Sequence, residues 1–140
     1  TRKQFDYDMM RSYQTLARFG ISKDKAPYFI PPYEYYNSTV SSWAHRLGLQ
    51  VINYTPGTGT NADYTTPDMP NYRSSKTLLK RLLDYEKANT LNGHFLMIHF
   101  GTSDLRTDKF YNLLPNIIST LRKRGYKFVS VEEMLGLNMH

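Results

Sequence analysis

The 140-residue sequence contains no cysteine. That absence excludes a disulfide framework, a thiol nucleophile and a zinc site with thiolate ligands. Long apolar runs are missing as well: no stretch approaches the ~18 uninterrupted apolar residues of a membrane span, and Thr1 to Asp6 lack the apolar run of a signal peptide. With 40% apolar residues, 21% charged residues and a mean hydropathy of -0.57, the composition predicts a globular domain without a membrane span.

Several catalytic and ligand-binding signatures are also absent. No Gly-x-Ser-x-Gly elbow occurs, and the stretch Gly57-Thr58-Gly59 lacks the third glycine and the helix start of a phosphate-binding loop. No two histidines have the i, i+4 spacing of a helical metal site. The four histidines are His45, His94, His99 and His140. The sequence therefore does not predict a self-contained metal site.

The chain is basic, with a net charge of +6 and a pI near 9.5. Its positive residues are only partly clustered, so we do not expect a nucleic-acid partner. A basic group at residues 122–127 suits either the negative end of a helix dipole or a phosphate site. Tyrosine is abundant, with 12 residues, of which seven lie at positions 28–36 and 54–72. Loop tyrosines suit sugar binding, and they equally suit packing of the loops onto the domain.

The hydrophobic pattern alternates between helical and strand periods. The predicted helices cover residues 4–19, 38–47, 75–89 and 108–124, and the predicted strands cover residues 26–30, 49–54, 94–100 and 127–131, followed by a helical turn at 132–135. Such alternation is typical of parallel strands joined by helical crossovers. We therefore expect one α/β domain over residues 1–140, with parallel βα repeats, about four strands and four helices.

Parallel α/β architectures bind ligands at the carboxyl ends of their strands. The loops at that edge are residues 31–37, 54–74 and 100–108. The loop of about 20 residues between 55 and 74 is long enough to suggest function. His99 lies at the end of a buried strand, where a general acid or base is expected, although a structural histidine bonded to a carbonyl is the alternative.

Three stretches carry a resemblance to a known family. They are Phe29-Ile30-Pro31-Pro32-Tyr33, Leu96-Met97-Ile98-His99 and the tail from Gly125 to Leu135. In order and spacing they resemble the C-terminal half of polysaccharide deacetylases, the NodB-homology enzymes of carbohydrate esterase family four. The similarity runs from Ala26 to Leu135. It implies that this chain forms part of a distorted (β/α) barrel.

The resemblance also implies roles for individual residues. His99 matches the histidine that protonates the leaving amine or alcohol, and Met97 takes the position that lines the acetyl pocket. Tyr33 follows the proline pair that forms a groove wall, where Ile30 replaces the usual arginine. The family's Asp-x-Trp motif, whose aspartate tunes the acid histidine, has no exact match in this sequence. Its nearest equivalent is Asp63-Tyr64 in the long loop, where Tyr64 would replace the tryptophan platform.

In that family a divalent metal, usually zinc, is bound by an Asp-Asp pair and a His-x-x-x-His motif of the N-terminal half. Neither motif occurs in this chain. The resemblance therefore implies a C-terminal segment that binds no metal itself, is inactive alone, and works with the missing N-terminal half on acetylated carbohydrate. The implied location is the periplasm or the extracellular bacterial envelope.

Two further expectations concern partners. A partial barrel leaves open edges at Tyr28 to Ile30 and at Lys127 to Val131, which predicts self-association or pairing with the missing half. The alternative function is a non-catalytic glycan-binding module. In that case the tyrosines would line a binding groove, and the replacement of arginine by Ile30 would mark the loss of chemistry.

Overall fold

The computed structural model describes residues 1–136. In this part of the chain the contacts divide the molecule into two units, residues 1–53 and residues 54–136, which are described separately below. The expected single domain over residues 1–140 stays a prediction. No helix among the described residues is both long enough and apolar enough to cross a bilayer.

The first unit contains two helices and two short strands. Helix α1 covers Arg2–Ala17, strand β1 covers Tyr28–Phe29, helix α2 covers Ser38–Arg46 and strand β2 covers Gln50–Val51. The Thr1 side chain caps α1 in a capping box with Gln4, and the Asn37 side chain accepts the backbone N–H of Val40 at 2.9 Å to cap α2. Both helices thus begin at residues whose side chains bond otherwise unpaired backbone donors.

The strands of the first unit pair in parallel, with Tyr28 opposite Gln50 and Phe29 opposite Val51. The core of this unit is small. Its buried residues are Phe29, Ala44 and Leu49, and the Phe5 ring of α1 meets the Phe29 ring edge to face at 5.3 Å. The apolar stripe of α1 therefore faces the strand pair, as the helical spacing predicts.

The second unit is built on helices. Helix α3 covers Ser75–Asn89, α4 covers Leu114–Lys123 and α5 covers Val131–Leu135, with 3₁₀ helices at Thr60–Tyr64 and Phe110–Leu113. Ser74 and Ser130 cap α3 and α5 with their hydroxyls. Burial is concentrated where α3 packs against α4 and the 3₁₀ helix before it. The buried core residues are Leu78, Leu82, Leu91, Phe110, Ile117 and Leu121.

The predicted fold class is wrong. The structure is 49% helical, and the described residues contain two short strands in place of the four that the alternation predicts. The stretches His94 to Phe100 and Lys127 to Val131 form no strands, so the expected open edge at 127–131 does not exist as a sheet edge. Parallel βα repeats forming part of a barrel are therefore not the architecture of this chain.

Hydrogen bonding explains why the stretch from His94 to Phe100 joins no sheet. Phe95 donates its backbone N–H to the Thr55 hydroxyl at 3.0 Å and accepts the Thr55 N–H at 2.9 Å. The N–H of His99 goes to the Asp63 carboxylate at 2.8 Å. A parallel ladder needs these donors for neighbouring main-chain carbonyls. Side chains take them instead, and an open apolar groove of ≈ 550 Å³ lies between this segment, α4 and residues 125–131.

The predicted helix over residues 108–124 is present in two pieces. Residues Phe110–Leu113 form a 3₁₀ turn, and regular α-helix begins at Leu114 with Pro115 in its first turn. Proline has no N–H to donate and is tolerated at that position, where the donor has no partner in the helix anyway. The proline thus starts the regular helix.

Candidate functional site

Asp63 and His99 form a closely bonded pair in the second unit. The ring nitrogen Nδ1 of His99 lies 2.6 Å from Oδ1 of Asp63, and the backbone N–H of His99 donates to Oδ2 at 2.8 Å. Both carboxylate oxygens therefore hold the same residue. The two partners are 36 positions apart in the sequence, and the fold brings them together.

Asp63 is held by the 3₁₀ helix Thr60–Tyr64 and is only 1% exposed. Gly59 precedes that helix with φ 73°, in the left-handed region that glycine enters without strain. On the other side, Thr65 ties back to the carbonyl of Ala62 through its N–H at 3.1 Å and its hydroxyl at 2.7 Å. The loop segment that carries Asp63 is thus closed on itself.

This arrangement fixes the protonation geometry of the imidazole. An ionised carboxylate only accepts hydrogen bonds, so the Nδ1 position of His99 carries the proton. Nε2 is then left to exchange a proton with a ligand. The His99 side chain is 33% exposed while that of Asp63 is fully buried, so the pair has one side open to solvent. A histidine oriented by a buried carboxylate is suited to general acid or base chemistry.

Tyr64 lies beside the pair. Its ring meets the His99 ring edge to face, with centroids 5.9 Å apart, and its side chain is about half exposed. A partly exposed aromatic face next to a proton-transfer group can pack against the apolar face of a sugar ring. The sequence predicts site roles for Asp63, Tyr64 and His99, and the structure brings these three residues together.

A second network lies directly behind this loop. Arg106 is 0% exposed, and it donates to the carbonyl of Thr65 at 2.7 Å, the carbonyl of Arg73 at 3.0 Å and the hydroxyl of Ser75 at 3.1 Å. Its guanidinium also lies over the Tyr72 ring, 5.3 Å from the centroid. The loop between Asp63 and α3 is therefore attached to one buried cation.

Asp108 completes this network. Its Oδ2 accepts the backbone N–H of Ser75 at 2.6 Å, its Oδ1 accepts the Tyr72 hydroxyl at 3.0 Å, and its main-chain carbonyl accepts the Ser75 hydroxyl. Burial alone would raise the pKa of Asp108, but these donors and the Arg106 charge hold it below the ordinary value. Burial and the bond to Asp108 raise the pKa of Tyr72.

The other two predicted site residues are Tyr33 and Met97. Tyr33 belongs to the first unit, where its side chain is 84% exposed. Tyr33 and Glu34 have φ angles of 55° and 58°, so the loop after the proline pair holds two successive non-glycine residues in the left-handed region. Met97 is partly buried two residues before His99. Its role in an acetyl pocket stays a prediction.

The described residues offer no site for the divalent metal that the resemblance implies. Within residues 1–136, no three side chains of His, Asp or Glu come together in a group that could bind a metal ion. His99 and Asp63 are bonded to each other, and two donors are too few for a catalytic metal site. His140 lies outside the described residues.

Comparison of the chain with protein-family models, curated proteins and solved structures gives no match. The site is therefore interpreted from its own geometry and from the motifs in the sequence.

The sequence predicts Arg106 in the loop 100–108 and Ser75 and Asp108 at the starts of helices, but it predicts no role at the site for any of the three. Their contacts join residues 31 to 41 positions apart. No local pattern signals such contacts. The only available signal was the presence of Arg and Asp two positions apart at 106 and 108, in a loop that precedes an apolar helix.

Proposed function

We propose that this chain is the C-terminal segment of a polysaccharide deacetylase that hydrolyses N- or O-acetyl groups on carbohydrate, with His99 as its general acid. The observation that carries the proposal is the pairing of His99 with the buried carboxylate of Asp63. The family resemblance of the sequence names these two residues for that role. The pairing supports the role because it orients the imidazole and leaves one nitrogen for the substrate.

The step assigned to His99 is a proton transfer. When the bond between the acetyl carbon and the sugar nitrogen or oxygen breaks, the leaving atom takes the electron pair and needs a proton. Protonated His99 supplies it from Nε2, while Asp63 holds Nδ1 and stabilises the imidazolium. A water molecule supplies the oxygen that adds to the acetyl carbon, so the products are acetate and the free amine or hydroxyl of the sugar. Tyr64 offers a ring beside His99 against which the sugar can pack.

Under this proposal the divalent metal, usually zinc in the resembling family, is bound by residues of a preceding N-terminal half. This chain supplies the acid and part of the sugar-binding surface. The substrate class is acetylated polysaccharide, and the place of action is the periplasm or the extracellular envelope of a bacterium.

The test compares the 140-residue chain with a longer protein in which it is joined to its N-terminal half. Acetate release from an acetylated chito-oligosaccharide is measured for both. We expect activity only in the longer protein, and we expect His99→Ala to lower its kcat by about 10²- to 10⁴-fold, the usual contribution of general acid catalysis. His94→Ala is the matched control, because His94 lies in the same segment and is bonded to Tyr85 rather than to a carboxylate. Acetate release by the 140-residue chain alone, or full activity of His99→Ala, would contradict the proposal.

Exposed tyrosines favour a second candidate, a glycan-binding module without chemistry. Tyr33 and Tyr35 of the first unit are 84% and 83% exposed, which is unusual for large aromatic side chains that serve only packing. Titration of the chain with glycans in the presence of a chelator separates the candidates. A binding module keeps its affinity without metal and loses it in Tyr33→Ala or Tyr35→Ala, whereas Tyr7→Ala, at an exposed tyrosine of α1, leaves it unchanged.

A further inference from the structure

Arg106 is the largest side chain among those with essentially no exposed surface. Its two terminal nitrogens donate to three acceptors, the carbonyls of Thr65 and Arg73 and the hydroxyl of Ser75. All three acceptors belong to one stretch, which runs from just after Asp63 to the first residue of α3. One rigid guanidinium therefore fixes both ends of this stretch.

Stability alone does not account for a charge at this position. Burying a cation has a large desolvation cost, and apolar residues of similar volume often stabilise a protein as well or better. The carboxylate of Asp108 lies 3.7 Å from Nε of Arg106, beyond hydrogen-bond distance, and Nε has no hydrogen-bond partner in the described part of the chain. What a guanidinium provides, and an apolar side chain cannot, is several donors in one fixed plane.

The Arg106 guanidinium acts on Asp63 through Thr65. The Thr65 carbonyl accepts from Arg106, while the Thr65 N–H and hydroxyl bond the carbonyl of Ala62, the residue before Asp63. Asp63 thus sits inside a closed turn whose outer end is bonded to the buried cation. The distance from Oδ1 of Asp63 to Nδ1 of His99 is 2.6 Å. If the turn moved about 1 Å away from the ring, this distance would exceed hydrogen-bond range.

We propose that Arg106 is a positioning residue that holds the Asp63 turn in register with the imidazole of His99. This inference rests on the proposed function for the meaning of the pair, but its test measures the pair itself and needs no turnover.

The test follows the Nδ1 proton of His99 by NMR in the 140-residue chain labelled uniformly with ¹⁵N, with the signal assigned by its loss in His99→Gln. The exchange rate of this proton with water is compared with that of the backbone N–H of Leu82, in the buried centre of α3. The first reports opening of the pair, and the second reports opening of the core.

Arg106→Lys keeps the positive charge but loses the planar set of guanidinium donors. In this variant we expect the exchange of the His99 Nδ1 proton to accelerate at least ~10-fold more than that of the Leu82 N–H. In Ser75→Ala, which removes one acceptor, we expect an excess of about threefold. Arg73→Lys is the matched control, because its exposed side chain bonds only the adjacent Tyr72 carbonyl. Its Nδ1 exchange should stay at the wild-type rate.

Equal acceleration of both protons in Arg106→Lys and in Ser75→Ala would overturn the proposal, because it would show a general loss of stability. If Arg106→Lys does not fold, Ser75→Ala decides by the same comparison. If His99 has no catalytic role, His99→Ala in the longer protein keeps full turnover. That outcome would contradict the proposed function but would not change the exchange result.

Discussion

The carboxylate of Asp63 binds His99 at two points, its ring nitrogen at 2.6 Å and its backbone N–H at 2.8 Å. One side chain thus fixes both the orientation of the imidazole and the path of the main chain that carries it. Because the carboxylate itself is buried, removing it takes away the acceptor of both His99 donors at the side of the pair that faces away from solvent.

Asp63→Asn tests this double contact. An amide has one acceptor oxygen and one donor group, so the oxygen can keep the backbone N–H bond while the NH₂ group donates to Nδ1, which forces the ring proton onto Nε2. Two bonds to a charged carboxylate become two bonds to a neutral amide, and we expect a loss of unfolding free energy of about 1 kcal/mol, measured by urea denaturation of the 140-residue chain. Asp104→Asn changes the same chemistry at an exposed position and should be neutral. Equal stability of the two variants would show that the double contact contributes nothing.

A substitution at Gly57 is expected to cause a steric clash, whatever the function of the protein. Its φ is 115°, and a Cβ at this position would lie 2.2 Å from Cε2 of Tyr85. We expect Gly57→Ala to destabilise the chain by about 2–4 kcal/mol, the sum of backbone strain and overpacking. Gly93→Ala has a similar backbone angle without a neighbour within 4 Å, so it should cost only about 1–2 kcal/mol. Thermal unfolding of the two variants measures the difference, which should shrink when Tyr85 is replaced by Leu.

The network around Asp108 predicts acid sensitivity. The pKa of Asp108 is lowered in the folded chain, so the unfolded chain binds a proton first as the pH falls. The stabilisation is fully present above the ordinary aspartate pKa of ~3.9 and is lost as the pH falls through the lower folded value. In Asp108→Asn the free energy of unfolding should therefore depend less steeply on pH below about 4. A pH dependence as steep as that of the wild type would contradict this assignment.

Tyr72 predicts a loss of stability at alkaline pH. Burial and the bond to Asp108 raise its pKa, so its contribution to stability is present below the ordinary tyrosine value of ~10 and is lost as the pH rises through the higher folded value. Tyr72→Phe should flatten the alkaline decline of the unfolding free energy. Tyr35→Phe, at a side chain that is 83% exposed, should leave the decline unchanged.

Local sequence signals predicted the helices well. Asn37 and Ser74 mark the starts of α2 and α3, and the apolar spacing of the later helix matches α4 up to the shift that Pro115 imposes. These features depend on neighbours within one or two turns. Two of the four predicted strands are present as the short strands β1 and β2, and the two predicted at 94–100 and 127–131 are absent for the opposite reason. The apolar run at 94–100 reads as a buried strand, but strand formation requires a partner main chain, and Thr55 and Asp63 take the donors at Phe95 and His99.

The candidate site shows the same division. His99 was predicted first from its place at the end of an expected strand, which the structure does not contain, and then together with Asp63 from the family resemblance, which encodes three-dimensional proximity indirectly. Arg106 was missed as a positioning residue because its acceptors are main-chain carbonyls, which leave no mark in the sequence. The burial of a full positive charge is set by the tertiary fold alone.

The engagement of the His99 main chain also bears on aggregation. Residues 94–100 form an uncharged, strongly apolar heptapeptide of the kind that stacks into intermolecular β-structure when its main-chain groups are free. Asp63 occupies the donor at one end of this segment, and Thr55 occupies the donor and acceptor of Phe95 near the other. The main-chain groups near the two ends of the segment are therefore not free to pair with a second molecule. We therefore expect that removing the carboxylate that orients the imidazole would raise the tendency of this segment to pair between molecules.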